Sequence, residues 1–130
     1  MPVRIVRLGS PRNPGEGPRI GTVRRPPRGV PKRDFARLDY YDIWLPTLAP
    51  SEALRKAALS AETAPEWNRF VTRYRAEMHR PDPSRLLDLL AALSPGSDFS
   101  LGCYCEDERR CHRSVLRQLL KERKAVLEPA

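Results

Sequence analysis

At 130 residues and 40% hydrophobic content, the chain is long enough for one domain with a buried core but too short for two. It contains no apolar run near the roughly 18 residues of a membrane-spanning helix and no apolar signal segment, which predicts a cytoplasmic protein without a membrane partner. Three cysteines cannot all pair within one chain, which argues against a disulfide scaffold, and reduced thiols are expected.

The net charge of +8 is carried almost entirely by the N-terminal third of the chain. Residues 1–40 hold ten Lys and Arg against three Asp and Glu, whereas residues 41–130 hold fourteen against thirteen. Such a basic segment is compatible with an anionic small molecule or a nucleic acid as partner, and equally with a solvated basic surface.

Short strands separated by proline-rich loops are expected in the first part of the chain. Alternating apolar residues predict a strand over residues 3–9 and a second, short strand over residues 20–24. Residues 40–45 are rich in strand-forming side chains and are followed by Pro46, which predicts a third strand. A Pro/Arg-rich loop region is expected at about residues 10–37, because proline removes an amide donor and breaks helices.

Helix signals dominate the rest of the chain. Apolar residues recur at helical spacing within residues 51–94 and again within 111–124, so helices are predicted in both regions. Ser51 is expected to cap the first helix, and Thr63 and Glu66 have the spacing of a capping box.

Residues 99–104, between the two helical regions, alternate as a buried strand does. The resulting order of strands, helices, strand and helix predicts an α/β fold. We expect a single three-layer α/β domain over residues 1–130, with a small central sheet.

The most informative segment is residues 101–114, which contains all three cysteines, one of the two histidines and three arginines. A strand is predicted before it and a helix after it, and this strand–loop–helix layout is where α/β proteins place anion sites and reactive thiols. Cys111 stands at the predicted helix N-terminus, where unpaired amides and the helix dipole lower a thiol pKa. Cys103 stands at the end of the predicted strand, the edge of the sheet at which α/β sites are found.

These placements support a hypothesis of an anion-binding pocket for a phosphorylated or nucleotide-like ligand, catalytic if a thiol is activated. No cofactor is needed for such chemistry. The candidate catalytic residues are Cys111, Cys103, His112 and Arg113. The candidate ligand-binding residues are all arginines. They come from the Pro/Arg-rich loop region, which we call the basic loop, or from residues 101–114, and they are Arg24, Arg28, Arg109 and Arg110.

Two other functions and a purely structural role remain open. The first is a non-catalytic nucleic-acid-binding module that uses the N-terminal arginine-rich loop. The second is a structural zinc site, whose three thiolates and one imidazole would come from Cys103, Cys105, Cys111 and His112. The spacing is poor for zinc, because the adjacent Cys111 and His112 are expected to point apart at a helix start. The same residues could instead be buried packing and local capping groups.

Several segments together resemble a known family. They are Pro27-Arg28-Gly29-Val30 with Lys32, the stretch from Leu45 to Lys56, Trp67 and Phe70, the stretch from Arg73 to Glu77, and the stretch from Cys103 to Ser114 with its Cys-His-Arg-Ser ending. With these residues the chain resembles the bacterial proteins grouped as domain-of-unknown-function family 488, over most of residues 20–122. The resemblance implies a three-layer α/β fold and a bacterial cytosolic protein, and it implies no established activity.

One segment departs from this family. Where relatives often have Asp-Arg-Leu-Trp-Pro-Arg-Gly, residues 23–29 are Val-Arg-Arg-Pro-Pro-Arg-Gly, without the acidic and aromatic residues. A role that those two side chains have in relatives therefore does not carry over to this chain.

Overall fold

In a computed structural model, residues 2–129 are described and form four strands and four α-helices. The strands are β1 (Arg4–Arg7), β2 (Arg19–Gly21), β3 (Ile43–Trp44) and β4 (Ser100–Cys103). The helices are α1 (Glu52–Ser60), α2 (Ala64–Met78), α3 (Pro81–Leu93) and α4 (His112–Glu122). None of the helices in this part of the chain is long and apolar enough to cross a membrane.

The four strands form one parallel sheet in the order β1-β4-β2-β3. Leu101 in the central strand β4 lies opposite Ile5 of β1 on one side and Ile20 of β2 on the other. Because parallel strands end at the same edge of a sheet, the residues that follow β1, β2 and β4 are brought close together.

The two faces of the sheet are covered differently. Ile5 packs against the main core, to which all four helices contribute, whereas its neighbour Val6 packs in a second cluster. That second cluster also contains Leu8, Val23, Tyr41, Cys103 and Cys111. Since successive strand residues face opposite sides, the sheet lies between a helical layer and a layer formed mainly by loops and turns. The prediction of one α/β domain with a small central sheet is confirmed.

The helices begin where local capping groups predict. Ser51 accepts a hydrogen bond from the Leu54 amide at 3.4 Å, and Thr63 accepts one from the Glu66 amide at 3.3 Å. The Thr63 hydroxyl also donates to the Glu66 carboxylate at 2.9 Å, so the first turn of α2 is held from both directions. Helices in residues 51–94 and 111–124 are therefore confirmed.

The third strand is shorter than the predicted 40–45 and includes only Ile43–Trp44. Tyr41 instead packs edge-to-face on Phe35, with ring centroids 5.2 Å apart, and lies over Gly21. Gly21 has no side chain, and this allows the Tyr41 ring to approach the β2 backbone closely.

A substitution at Gly102 of β4 tests how closely this strand packs against β1 and the residue that follows it. A Cβ atom at this position would lie 2.5 Å from Leu8 Cδ2 and 3.0 Å from the Val6 carbonyl oxygen. We expect Gly102→Ala to lower the free energy of unfolding by about 1–3 kcal/mol, the usual cost of overpacking a buried site. Urea unfolding measures this, with Gly96→Ala as the matched control, because nothing lies within 4 Å of a Cβ at Gly96. Equal losses for the two variants would contradict the prediction.

Candidate functional site

The end of β4 and the start of α4 bring three candidate residues into one buried cluster, which we call the thiol cluster: Cys103, Cys111 and His112. Cys103 is the last residue of β4, and Cys111 is the N-cap of α4. The two sulfurs and a ring nitrogen of His112 all lie within 4.8 Å of one another, and all three residues are buried. These three sequence-predicted residues are thus close in space and adjacent to a sheet edge.

Cys105 lies next to the cluster and is partly exposed. Its sulfur is 3.8 Å from the sulfur of Cys103, and all three cysteines are free thiols. A partly exposed thiol beside two buried ones is the point at which a small reagent first meets the cluster.

The His112 ring is fixed by contacts on two sides. Its Nε2 lies 2.7 Å from the Thr22 carbonyl oxygen and 3.2 Å from the Thr22 hydroxyl, and its ring packs edge-to-face on Tyr74 at 5.6 Å. A carbonyl oxygen only accepts hydrogen bonds, and we therefore assign a proton to Nε2. In the neutral ring this leaves Nδ1 as an acceptor.

Nδ1 of His112 lies 3.8 Å from the sulfur of Cys111, in position to take a proton from that thiol. The expectation that these adjacent side chains point apart is wrong. Cys111 has an extended backbone (φ −133°, ψ 152°) while His112 begins the helix, and this change of conformation places the two side chains together.

The thiols of Cys111 and Cys103 have pKa values shifted in opposite directions. Hydrogen bonds from the thiols of Cys103 and Cys105, together with the His112 ring, hold the pKa of Cys111 well below its ordinary value, and they outweigh burial, which acts in the opposite direction. Hydrogen bonding of Cys103 to Cys105 and Cys111, together with burial, raises the pKa of Cys103. We therefore assign the thiolate to Cys111.

Arg113, the remaining catalytic candidate, is buried with 3% of its surface exposed. One Nη donates to the Cys105 carbonyl oxygen at 2.7 Å, while its Nε is buried without a partner. No ion pair within residues 2–129 includes this guanidinium. A buried cation is costly without an anion nearby, and a thiolate in the adjacent cluster would supply one.

Of the four candidate ligand-binding arginines, the structure places one at a cavity. Arg28 lines a cavity of about 430 Å³, the anion cavity, together with Arg7, Ser10, Tyr40 and Tyr104. It opens at the edge of the sheet where β1 and β4 end. The cysteines are not among the lining residues described for this cavity; Tyr104, which stands between Cys103 and Cys105 in the chain, is.

The other three arginines point to other partners. Arg24 donates to the carbonyl oxygens of Ala49 and Pro50, both at 3.1 Å, and so ties the basic loop to the start of α1. The side chain of Arg109 is 91% exposed and contacts Asp107. Arg110 lies over the Trp67 ring at 5.7 Å. None of these contacts involves a residue of the thiol cluster.

Thr22 and Arg7 are site residues that the sequence analysis missed. Thr22 directly follows β2 and Arg7 ends β1, so both lie at the edge of the sheet where β4 ends. The parallel pairing of the strands is the signal that could have identified them, but strand order was not available from sequence pattern.

The thiol cluster also has the donor set of a soft-metal site. Three buried ligand atoms lie within 4.8 Å, and the sulfur of Cys105 lies 3.8 Å from that of Cys103. Thiolate and imidazole ligands suit zinc, and the contact from Nε2 to the Thr22 carbonyl is the support that metal-binding histidines usually have. Metal content is therefore part of the test described below.

Comparison with curated proteins and with solved structures gives no match. The family model described as the active DUF488-N3 subclade matches residues 3–124, which include every strand, every helix and the thiol cluster. The chain therefore belongs to the DUF488 family.

Proposed function

We propose that this protein is a cytoplasmic, thiol-dependent enzyme that acts on a phosphorylated or nucleotide-like ligand, with Cys111 as its nucleophile. One observation carries the proposal: the sulfur of Cys111 lies 3.8 Å from Nδ1 of His112, while Nε2 of the same ring is held by the Thr22 carbonyl. A nucleophile, a base and a group that orients the base are the three parts of an activated thiol. The description of the matching family as an active subclade is consistent with this proposal.

The chemistry follows from these positions. The Cys111 thiol gives its proton to Nδ1 of His112, and the thiolate attacks an electrophilic atom of the ligand. A bond from sulfur to that atom forms, the bond to the leaving group breaks, and the leaving group takes the proton from Nδ1. Water then attacks the same atom, one of its protons passes to the imidazole, and the sulfur leaves as a thiolate.

The anion cavity supplies the binding side of the proposal. Arg7 and Arg28 both line it; Arg7 lies 3.6 Å from the Glu106 carboxylate, whereas Arg28 has no ion-pair partner in the portion of the chain that the structure describes. Arginine binds phosphate through two parallel hydrogen bonds, so a phosphate group suits this cavity. Because Cys111 is only 2% exposed, attack on the ligand requires a local opening of the chain around this sulfur.

Alkylation kinetics at pH 6 test both halves of the proposal. The probes are neutral iodoacetamide and anionic iodoacetate, with the modified cysteine identified by peptide mass spectrometry. We expect Cys111 to be alkylated at this pH while Cys103 is not, because only Cys111 has a lowered pKa. Iodoacetate should react several-fold faster than iodoacetamide, and pyrophosphate should slow it, because arginine charge attracts anions.

Three variants and one mass measurement complete the experiment. Cys111→Ser should remove the acid-pH reaction, and Arg28→Gln should remove the preference for iodoacetate, whereas Arg69→Gln, which removes an exposed charge from α2, should change neither. The proposal would be contradicted if all three thiols reacted only above pH 8 and pyrophosphate did not slow their alkylation. A native mass raised by one zinc ion would instead assign the cluster to a metal.

A further inference from the structure

A second cavity, of about 450 Å³, lies between the basic loop and the end of β3. We call it the aromatic cleft; its lining residues include Pro26, Lys32, Arg33, Phe35, Tyr41 and Trp44. Three aromatic side chains line it, against two, Tyr40 and Tyr104, in the anion cavity. Clefts of this size accommodate one nucleotide-sized ring system.

Trp44 gives the cleft an exposed and fixed ring. It is 44% exposed, and its indole N–H donates to the Val23 carbonyl oxygen at 2.8 Å. That hydrogen bond fixes the ring at the end of β3. An exposed indole ring with a fixed orientation offers a surface on which a planar ring can stack.

The rim of the cleft is positively charged. Lys32 and Arg33 are exposed, and neither belongs to an ion pair among the residues for which the structure gives contacts. The one acidic residue in the lining, Asp42, is bound by the Arg12 guanidinium at 2.8 Å and by the Arg19 amide at 2.8 Å. Its charge is therefore compensated, and the two cations remain available for phosphate.

The aromatic cleft and the anion cavity share the basic loop as a wall. Pro27 and Arg28 line the anion cavity, while the preceding Pro26 and the following Lys32 and Arg33 line the cleft. Two nucleotide-sized cavities that share one cationic loop suit a ligand with repeated bases and phosphates better than one mononucleotide.

We infer that the protein binds single-stranded nucleic acid, with one base stacked on Trp44 in the aromatic cleft and the phosphate of a neighbouring nucleotide in the anion cavity. This inference rests on the proposed function for the anion cavity and names the class of its ligand. Stacking on an exposed aromatic ring combined with a cationic groove is the general mode by which proteins hold single strands without sequence preference.

Fluorescence anisotropy with 5′-labelled 12-residue oligothymidylate and oligouridylate tests the inference, and comparison of the two probes distinguishes DNA from RNA as the ligand. We expect Trp44→Leu to weaken binding by at least about tenfold, and Trp44→Phe to restore most of it, because stacking needs only a planar ring. Replacing both Lys32 and Arg33 by glutamine should weaken binding and flatten its salt dependence. The matched control replaces Arg69 and Arg73, two exposed cations of α2, by glutamine and should leave binding unchanged.

The outcomes separate this inference from the proposed function. If thymidine monophosphate binds as tightly as the 12-residue strand, or if Trp44→Leu binds like the parent, the inference is overturned while the alkylation test of Cys111 is unaffected. If the strand binds through Trp44 and Cys111 is inert at pH 6, the inference stands and the enzymatic proposal fails. Thermal unfolding of each variant establishes that the substitutions leave the fold intact.

Discussion

Replacement of Glu16 by glutamine is expected to lower the free energy of unfolding by about 3–5 kcal/mol, the usual cost of leaving a buried charge without its partner. The side chains of Arg19 and Glu16 are 0% and 1% exposed, and they form two hydrogen bonds of 2.6 and 3.2 Å. Glutamine keeps the shape of the side chain but removes its charge, so the guanidinium would stay buried and uncompensated.

The effect extends beyond one ion pair because Arg19 connects three stretches of loop. Its guanidinium also donates to the carbonyl oxygens of Ser10 at 2.7 Å, Pro11 at 3.2 Å and Asp39 at 2.6 Å. Ser10 lines the anion cavity, so this buried cation fixes part of the proposed binding site. A protein that lost the pair would therefore lose both stability and the shape of that cavity.

The Glu16 pair also has a defined pH dependence. Burial raises the pKa of Glu16, but the hydrogen bond and charge of Arg19, together with hydrogen bonds from Asn13, lower it by more, and the net pKa is below the ordinary 4.5. A carboxylate with a lowered folded-state pKa stabilises the fold fully above the unfolded value, and that stabilisation is lost as the pH falls through the folded value. The loss caused by Glu16→Gln should hence be complete at pH 7 and shrink below about pH 4.

Urea unfolding at pH 7 measures the prediction. Glu62→Gln, at an exposed position of the α1–α2 connection, is the matched control and should cost less than about 0.5 kcal/mol. The double variant with Arg19→Met should recover part of the loss, because methionine removes the buried charge that Glu16→Gln leaves without a partner. If Glu16→Gln cost no more than the control, the pair would contribute little to stability.

Elements with local signals were predictable from the sequence. The caps at Ser51 and Thr63 act through residues three positions away, and the apolar stripe of α2 places Phe70, Tyr74 and Met78 in the core as helical spacing predicts. The placement of Cys111 at a helix N-terminus followed in the same way from the strand, loop and helix around it. Each of these features depends on groups close in sequence.

Contacts between distant residues were not predictable. His112 is held by Thr22, 90 residues earlier, and only the order of the parallel strands brings the two together. Arg24 was predicted to bind a ligand because arginine suits phosphate, but its donors are used by backbone carbonyls at the start of α1. Side-chain chemistry indicates what a residue can bind, and only the fold determines whether its donors are free.

The contribution of Cys111 to stability is expected to increase by about 1.4 kcal/mol per pH unit as the pH rises through its titration range toward 9.0. The folded-state pKa of this thiol is lowered from the ordinary value of 9.0. Between the two values the unfolded chain holds a proton that the folded chain has released, so higher pH favours folding. The contribution is complete above pH 9.0 and is lost as the pH falls.

The measurement is the difference in unfolding free energy between the parent and Cys111→Ala under reducing conditions, taken at each pH from 6 to 9. Groups that titrate independently of Cys111 cancel in this difference, which leaves the coupled groups Cys103, Cys105 and His112. Gln118→Ala, at an exposed position of α4 and removing no titrating group, should give a difference that does not vary with pH. A flat difference for Cys111→Ala would mean that the folded cluster keeps this proton, either on the Cys111 sulfur or on Nδ1 of His112, and alkylation at pH 6 separates these two cases.

The stabilising contribution of the neighbouring Cys103 should change with pH in the opposite direction. The contrast between the two residues shows which of them carries the thiolate. Hydrogen bonding to Cys105 and Cys111 and burial raise its pKa above 9.0, so its stabilising contribution is present below pH 9.0 and is lost as the pH rises further. With the pH series extended to 10.5, a difference curve for Cys103→Ala that falls above pH 9.0, beside one for Cys111→Ala that rises below it, would locate the negative charge on Cys111. If the two curves exchanged their signs, the nucleophile of this cluster would be Cys103, at the end of the central strand.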